Sequence, residues 1–332
     1  MEPHVVSNVV VVSIVVAAAA VWWAARRSPF WRGAARDLVR RRPWALAVVG
    51  VYVLVALLDS IAWIGPGTRP RSVVDRFFPA AFHERSYSAP LARVEFYGGA
   101  PLNHPGRHLL GTDILGRDTL HQMLKGARVA LLIGGLTSLL VIPLALLFGV
   151  SAGYLGGRVD AVVFFLMSVI ASIPTLLLLV ALIMVLGKGP VQVCVALGLT
   201  SWVGFCRIAR GETFKLRELD YVHAARALGV AEWRIVLQHV VPNLAHLVVI
   251  TFALTFSGMV LSEAILAWLG LGIDGSWGQM IDQARDELSR DPAIVWNLLA
   301  AASALFGLIL AVNLVGDALR DVLDPRTARE RL

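Results

Sequence analysis

Seven stretches of this chain are long and apolar enough to cross a lipid bilayer, and nothing else in the sequence limits the fold as strongly. They run over residues 5–25, 44–64, 129–152, 161–187, 189–206, 244–269 and 293–316. The hydrocarbon core of a bilayer takes about 20 helical residues. Inside it every backbone polar group needs a partner from the protein, which a helix supplies from its own segment. Most of the seven runs contain no charged residue; Asp59 and Glu263 are the exceptions, and Pro143 and Pro174 sit inside two of them. Only 16% of the residues are charged and 57% are hydrophobic, with a mean hydropathy of +0.71. A soluble domain carries about 25% charged residues, so a soluble globule is excluded. The expected class is an all-α polytopic membrane protein.

Charge then orients the spans. If residues 26–43, 154–160, 207–243 and 317–332 face the cytoplasm, those segments together carry a net charge of +8, and the rest of the chain carries −1. That sign agrees with the excess of Lys and Arg found on the inner side of membrane proteins. Basic loops that hold an orientation also account for the net charge of +7 better than a nucleic-acid partner does. Before the first run the only charge is Glu2, while Arg26 and Arg27 follow it. A cleaved signal peptide has the opposite order, so residues 5–25 read as a retained helix with its N-terminus outside; a helix lying flat on the membrane is the other reading. The chain divides into two N-terminal spans with an Arg-rich connection (1–64), an extracytoplasmic loop (65–110), a five-span bundle (111–325) and a cytoplasmic tail (326–332). The 65–110 loop is rich in Pro, Gly and aromatic residues, and reads either as a cap or as a passive packed loop.

The inner segment 207–243 carries the clearest pattern. A short helix over Tyr221–Leu228 meets Gly229, which permits a sharp bend. A second helix over Ala231–Val240 is expected to end before Pro242, which either ends that helix or begins the next span. Its Trp233, Val236, Leu237 and Val240 recur at the three- and four-residue spacing of one helical face. Two such short helices are marginal alone in water and should dock on the ends of their own spans or in a partner's groove.

At these residues the chain resembles a known family. The run from His223 to Pro242 is similar to the Glu-Ala-Ala-x3-Gly loop of ABC importer permeases: Ala224, Ala225, Gly229 and Pro242 match, and His223 stands in place of the leading Glu. Asp220-Tyr221-Val222 before it and His239, Pro242 and Asn243 at its end resemble the dipeptide/oligopeptide (peptide/nickel) branch, C-type subunit. So do Gly111-Thr112-Asp113, Leu115-Gly116-Arg117-Asp118, Ala152-Gly153-Tyr154, Glu263-Ala264, Trp268-Leu269-Gly270, Trp277-Gly278, and the C-terminal Asn313, Gly316, Asp317 and Pro325. Their order and spacing cover residues 111–326. The 272–277 loop is shorter than in the family.

The resemblance implies the type I ABC importer permease fold, a five-span core bundle plus N-terminal spans. It implies a second homologous permease subunit, two cytoplasmic ABC ATPase subunits that bind ATP and Mg, and an extracytoplasmic solute-binding protein. Tyr221, His223, Ala224, Ala225, Gly229, Trp233, His239 and Pro242 are the expected ATPase-coupling residues. Glu263, Trp277 and Met280 are the candidates for the translocation path or its gate. Glu263 is open to two readings, since a carboxylate within a span is costly and a functional candidate, while one near the membrane surface can be hydrated and structural. Asp59 reads as a helix-end residue. Peptide-like solutes are the expected cargo; nickel chelates, opines, glutathione and peptide antibiotics are carried by the same branch.

Catalysis is not expected. Gly187-Lys188-Gly189-Pro190 lacks the spacing of a phosphate-cradling Walker loop, and His83-Glu84 lacks the second His of a zinc motif. No catalytic residue, metal ligand or bound cofactor is assigned to this chain. An ion-coupled secondary transporter is the rival class; it calls for internal repeats and charged residues near the membrane midplane, and the sequence shows no repeat and almost no charge within the spans.

Overall fold

The computed structural model describes residues 29–64, 70–78 and 84–323. The span expected over 5–25 and the tail 326–332 lie outside the described residues. The elements are α1 (Pro29–Arg41), α2 (Pro43–Ser60), β1 (Ala62–Ile64), β2 (Pro70–Ser72), α3 (Val73–Phe77), α4 (Thr119–Leu155), α5 (Gly157–Ser172), α6 (Thr175–Leu186), α7 (Pro190–Arg217), α8 (Asp220–Ala227), α9 (Glu232–Ile235), α10 (Ala245–Leu266), α11 (Trp277–Leu288) and α12 (Trp296–Leu323). Among the described residues, five helical runs have the length and hydropathy of a membrane span: α2, α4, α7, the continuous run Glu232–Leu271, and α12.

The fourth expected span, 161–187, is two helices, α5 and α6, bent by 91°. The break falls where Ile173 is extended (φ −94°, ψ 131°) ahead of Pro174. Proline has no amide to give the preceding turn and pushes the residue before it out of the helical region. Pro143, by contrast, is accommodated inside α4. The span expected over 44–64 is also shorter: α2 stops at Ser60, and Ala62–Ile64 pairs antiparallel with Pro70–Ser72. Elsewhere the helices outrun their apolar cores, α4 starting at Thr119 and α7 continuing to Arg217. Hydropathy marks only the length that meets hydrocarbon, while helical hydrogen bonding carries on into the aqueous layer.

Close contacts group the described residues into two units. The first takes the residues up to Leu132 together with Val260–Val315; the second takes Ile133–Met259 and the residues from Gly316.

In the first unit, Asp59 is more than a helix end. It is buried, accepts a hydrogen bond from the Ser72 hydroxyl at 2.8 Å, and faces Lys125 at 3.5 Å and Arg128 at 3.7 Å. Asp75 completes the cluster through Lys125 at 2.6 Å and His121 at 2.9 Å, and caps α3 with Ser72. Burial alone would raise the Asp75 carboxyl; the hydrogen bonds from Lys125, the Ser72 amide and His121 outweigh it and hold the group well below the usual carboxylate range. A carboxyl depressed on folding stabilises the protein above its ordinary value of about 4 and loses that contribution as pH falls further. The purified chain is therefore expected to lose thermal stability between about pH 5 and pH 3 more steeply than the Asp75→Asn variant; parallel melting curves over that range would remove Asp75 as the cause.

The 84–118 segment is held by its own bonds and by contacts with residues 292–296. Glu84 is buried and takes the amides of Arg85, Asn103 and His104 at 2.7–3.0 Å. Phe96 meets Trp296 edge-on at 5.1 Å, the Trp296 indole donates to the Thr112 carbonyl at 3.0 Å, and the Tyr97 hydroxyl donates to the Pro292 carbonyl at 2.9 Å.

In the second unit, α4 and α7 touch backbone to backbone. A Cβ at Gly149 would lie 2.7 Å from the Cys206 carbonyl, and one at Gly153 would lie 2.7 Å from that of Arg210. Such small-residue stripes let helices approach closely where lipid offers no hydrophobic drive to associate. Ala145, Val163, Met167, Trp202, Phe205 and Cys206 fill the space beside this seam.

Candidate functional site

The segment after α7 folds into a knob whose shape is set by one glycine. Gly229 has φ +78°, in the left-handed region that other residues enter at a cost. Its amide donates to the Arg226 carbonyl at 3.0 Å, and the Val230 amide reaches back to the Ala225 carbonyl at 3.1 Å. This pair of bonds is the Schellman ending of a helix, and it satisfies carbonyls that α8 would otherwise leave open. Val230 packs on the same apolar cluster as Ala225, which is the hydrophobic contact that accompanies this motif.

The knob's foot is apolar. Val222, Ala225, Ile235, Val240 and Leu244 are buried against Val150 and Tyr154 of α4. One polar network crosses that seam. The Tyr154 hydroxyl donates to Glu232, Arg226 donates to Glu232 at 3.1 Å, and a second nitrogen of Arg226 donates to the Tyr154 hydroxyl at 3.3 Å. The helices behind it are pinned in turn: Arg210 pairs with Asp160 through two nitrogens, and Arg217 donates to the Gly153 carbonyl at 3.0 Å. The Tyr221 and His239 rings meet at a tilt of 53° with centres 5.9 Å apart, and the Asn243 amide donates to the Tyr221 hydroxyl at 3.3 Å. His223 lies exposed, 3.8 Å from Glu218, so the imidazole in the family's Glu position faces an acid on its own chain.

The second helix does not end before Pro242; of the two readings of that proline, the structure has the one in which it begins the next span. From Glu232 the chain passes through a π-turn (Val236–Val240) and a 3-10 turn (Val241–Leu244) into α10 without a break. The wider turn lets the Val241 amide reach the Val236 carbonyl, and Pro242 sits in the first turn of the next segment, where a missing amide costs little. The face assigned to Trp233, Val236, Leu237 and Val240 is split as well. Val240 is buried and Val236 packs beside it, while Trp233 and Leu237 are exposed. Ala225, expected at a partner surface, is buried in the chain's own foot, whereas Ala224 beside it is exposed.

The knob therefore presents outward Leu228 (84% exposed), Trp233 (61%), Leu237 and Tyr221, with the Arg234 guanidinium lying over the Trp233 ring at 5.2 Å. Leu228 is absent from the contact residues expected on sequence. Its signal is positional: it is the residue just before the bend, and an apolar side chain there has no foot to pack on.

The other candidates lie in the first unit. Glu263 is buried; its carboxyl accepts from the Ser276 hydroxyl and, at 3.5 Å, from the Ile273 amide, tying down the turn before α11. Trp277 is buried, donates its indole N–H to the Met123 carbonyl at 2.8 Å and meets Tyr52 edge-on at 5.7 Å. Met280 is buried one turn further on. Among the described residues no group of three or more His, Cys, Asp or Glu is placed to hold a metal ion.

Comparison with known proteins decides the family. Residues 145–329 match the family described as binding-protein-dependent transport system inner membrane component. That match takes in the knob and its foot. The chain belongs to this family of transport permeases. The permease is 32% identical over 291 residues to the dipeptide transport system permease protein DppC of Bacillus subtilis, covering 86% of this chain and 83% of the relative. It is 29% identical over 299 residues to the oligopeptide transport system permease protein OppC of Haemophilus influenzae (89% and 88%), and 33% identical over 222 residues to the glutathione transport system permease protein GsiD of Pectobacterium atrosepticum (66% and 73%). Five long apolar helices among the described residues make it a multi-pass membrane protein.

Proposed function

We propose that this permease is one of two membrane subunits of an ATP-driven importer of peptides, and that its 220–243 knob is the handle by which a cytoplasmic ATPase moves the spans. The single observation that carries the proposal is the division of the knob into two faces: an apolar foot fused to α4 and α10, and an apolar exposed face at Leu228, Trp233 and Leu237. An exposed apolar patch with a charged rim marks a protein-docking surface. Because the foot is bonded to the spans by packing and by the Tyr154–Glu232–Arg226 network, a force on the exposed face reaches α4 and α10 directly.

In this reading residues 26–43, 154–160 and 207–243 are cytoplasmic, and the 84–118 cap faces the delivering solute-binding protein. A homologous second permease completes the path, and the ATPases bind the ATP and Mg; this chain hydrolyses nothing. Tyr221, His223, Ala224, Trp233 and Leu228 meet the ATPase, while Ala225, Gly229, His239 and Pro242 shape the knob. Glu263, Trp277 and Met280 stay the candidates for the path or gate; their burial supports a role in holding the turn before α11 rather than in touching solute. The likeness to a glutathione permease favours one second reading, a γ-linked tripeptide as cargo.

The test is Leu228→Asp in the assembled transporter. Leu228 is 84% exposed, so the charge leaves the fold intact. The expected result is normal amount of chain in the membrane, loss of ATPase co-purification, and ATP-dependent peptide uptake reduced at least about tenfold, the effect of about 1.4 kcal/mol at the interface. Wild-type co-purification and uptake would refute the docking face.

A further inference from the structure

The 13-residue helix α1 carries Arg32, Arg36 and Arg40 at four-residue spacing, so three guanidinium groups share one stripe. Leu38, half-buried, lies on the other side, and Asp37 is the helix's only acid. Arg42 follows, exposed, immediately before α2. A short helix with a basic stripe at the end of an apolar span suits the headgroup layer of a membrane.

Further along the chain from Arg42, a groove of about 310 Å³ runs between α2 and the first turns of α4, within the first unit, lined by Ala47, Val51, Tyr52, Val55, Met123 and Ala127 among others. The lining is apolar apart from the Tyr52 hydroxyl, and that hydroxyl is spent on the Ala304 carbonyl at 2.9 Å. Val51 is 59% exposed at the groove's edge. At 1.5 Å per residue the groove begins about 7 Å and ends about 20 Å along α2 from Arg42. One leaflet's hydrocarbon is about 15 Å deep. A tail whose headgroup sits at the arginines therefore runs beside most of the groove.

We infer that α1 and this groove hold one acidic phospholipid, its phosphate on the Arg32–Arg36–Arg40 stripe and one acyl chain along Ala47, Val51 and Met123. Charge complementarity selects the occupant. The groove offers no polar group to a peptide backbone, and the basic stripe at its end offers several to a phosphate, to which arginine donates in pairs. Anionic lipids attract such basic segments within a Debye length of the surface. The leaflet assignment rests on the proposed cytoplasmic placement of residues 26–43; the binding itself does not.

Native mass spectrometry of the full-length chain in detergent, titrated with phosphatidylglycerol and with phosphatidylcholine of the same acyl chains, separates the two. Phosphatidylglycerol should be retained at least about tenfold more strongly. Arg32→Gln with Arg36→Gln and Arg40→Gln should abolish the preference, while lysine at the same three positions keeps it. Val51→Trp should weaken retention with α1 unchanged, and glycerol phosphate, which has no tails, should not displace the lipid. Equal retention of the two lipids, or a glutamine variant that behaves as wild type, overturns the inference. A groove already filled by the chain's own N-terminal run or by a second copy would show as no retained lipid, which also overturns it. Orientation is read separately, by thiol labelling of the Arg32→Cys and Arg36→Cys variants in intact cells.

Discussion

Gly229→Val is expected to reduce ATP-dependent peptide uptake by at least about tenfold, with the chain still inserted in the membrane. The reason is conformational. A Cβ at this position meets nothing within 4 Å, so the substitution is not blocked by space. It is blocked by φ +78°, where an ordinary side chain costs about 1–2 kcal/mol and a β-branched one more. Relieving that strain means giving up the Gly229 and Val230 amide bonds that end α8. Leu228 and Trp233 then leave their relative positions, although each is still present. Asparagine tolerates this conformation, so Gly229→Asn should transport close to wild type. Uptake assays on the complete transporter, normalised to chain in the membrane, distinguish the two. If valine and asparagine behave alike, the bend is not what matters.

Gly153→Val and Gly149→Val are expected to destabilise the membrane bundle itself. The contacts a new Cβ would make are with the backbone carbonyls of Arg210 and Cys206 at 2.7 Å, and with Thr213 Cβ and Ala209 Cβ. A flexible side-chain tip can move aside; a helical carbonyl cannot. Overpacking of this kind costs about 1–3 kcal/mol per site, or a fall in melting temperature of several degrees for a chain of this size. Gly153→Val also displaces the carbonyl that Arg217 holds at 3.0 Å. The double variant should fail to accumulate. Gly204 lies in the same helix as Cys206 with nothing within 4 Å of its Cβ direction, so Gly204→Ala should melt at or slightly above the wild type. Detergent-solubilised melting curves decide the matter, and glycine-to-valine curves that coincide with wild type would dissolve the proposed seam.

Hydropathy makes the spans legible because lipid imposes one requirement on every residue that meets it, and a window of 20 residues reads that requirement directly. It cannot see the 91° break at Ile173–Pro174, since Pro143 sits in an equally apolar run and leaves α4 unbroken. Whether a proline bends a helix depends on what neighbouring helices offer its orphaned carbonyl, which is tertiary information. Gly229 is legible for the opposite reason: the bend is local, and glycine is the residue that makes it. The faces of the knob are not. A regular 3.6-residue period groups Trp233 with Val240, but the π-turn at Val236–Val240 adds a residue to the turn and rotates the side chains beyond it. That rotation carries Val240 into the foot and leaves Trp233 outside. Glu263 and Asp59 stand out in sequence as charges within apolar runs, yet their partners Ser276, Ser72 and Lys125 come from distant segments that no spacing rule connects.

If the knob is a handle, its exposed face touches an ATPase. A photo-reactive side chain at Leu228, and separately one at Val222, placed in the assembled transporter in native membranes, tests that contact directly. Leu228 is 84% exposed and Val222 is fully buried in the foot. The expected outcome is an adduct between this chain and the ATPase from Leu228, changing in yield with ATP, and none from Val222. Adducts from Leu228 to lipid alone, or labelling of Leu228 by a reagent confined to the outside of the cell, would show that the knob is no ATPase handle.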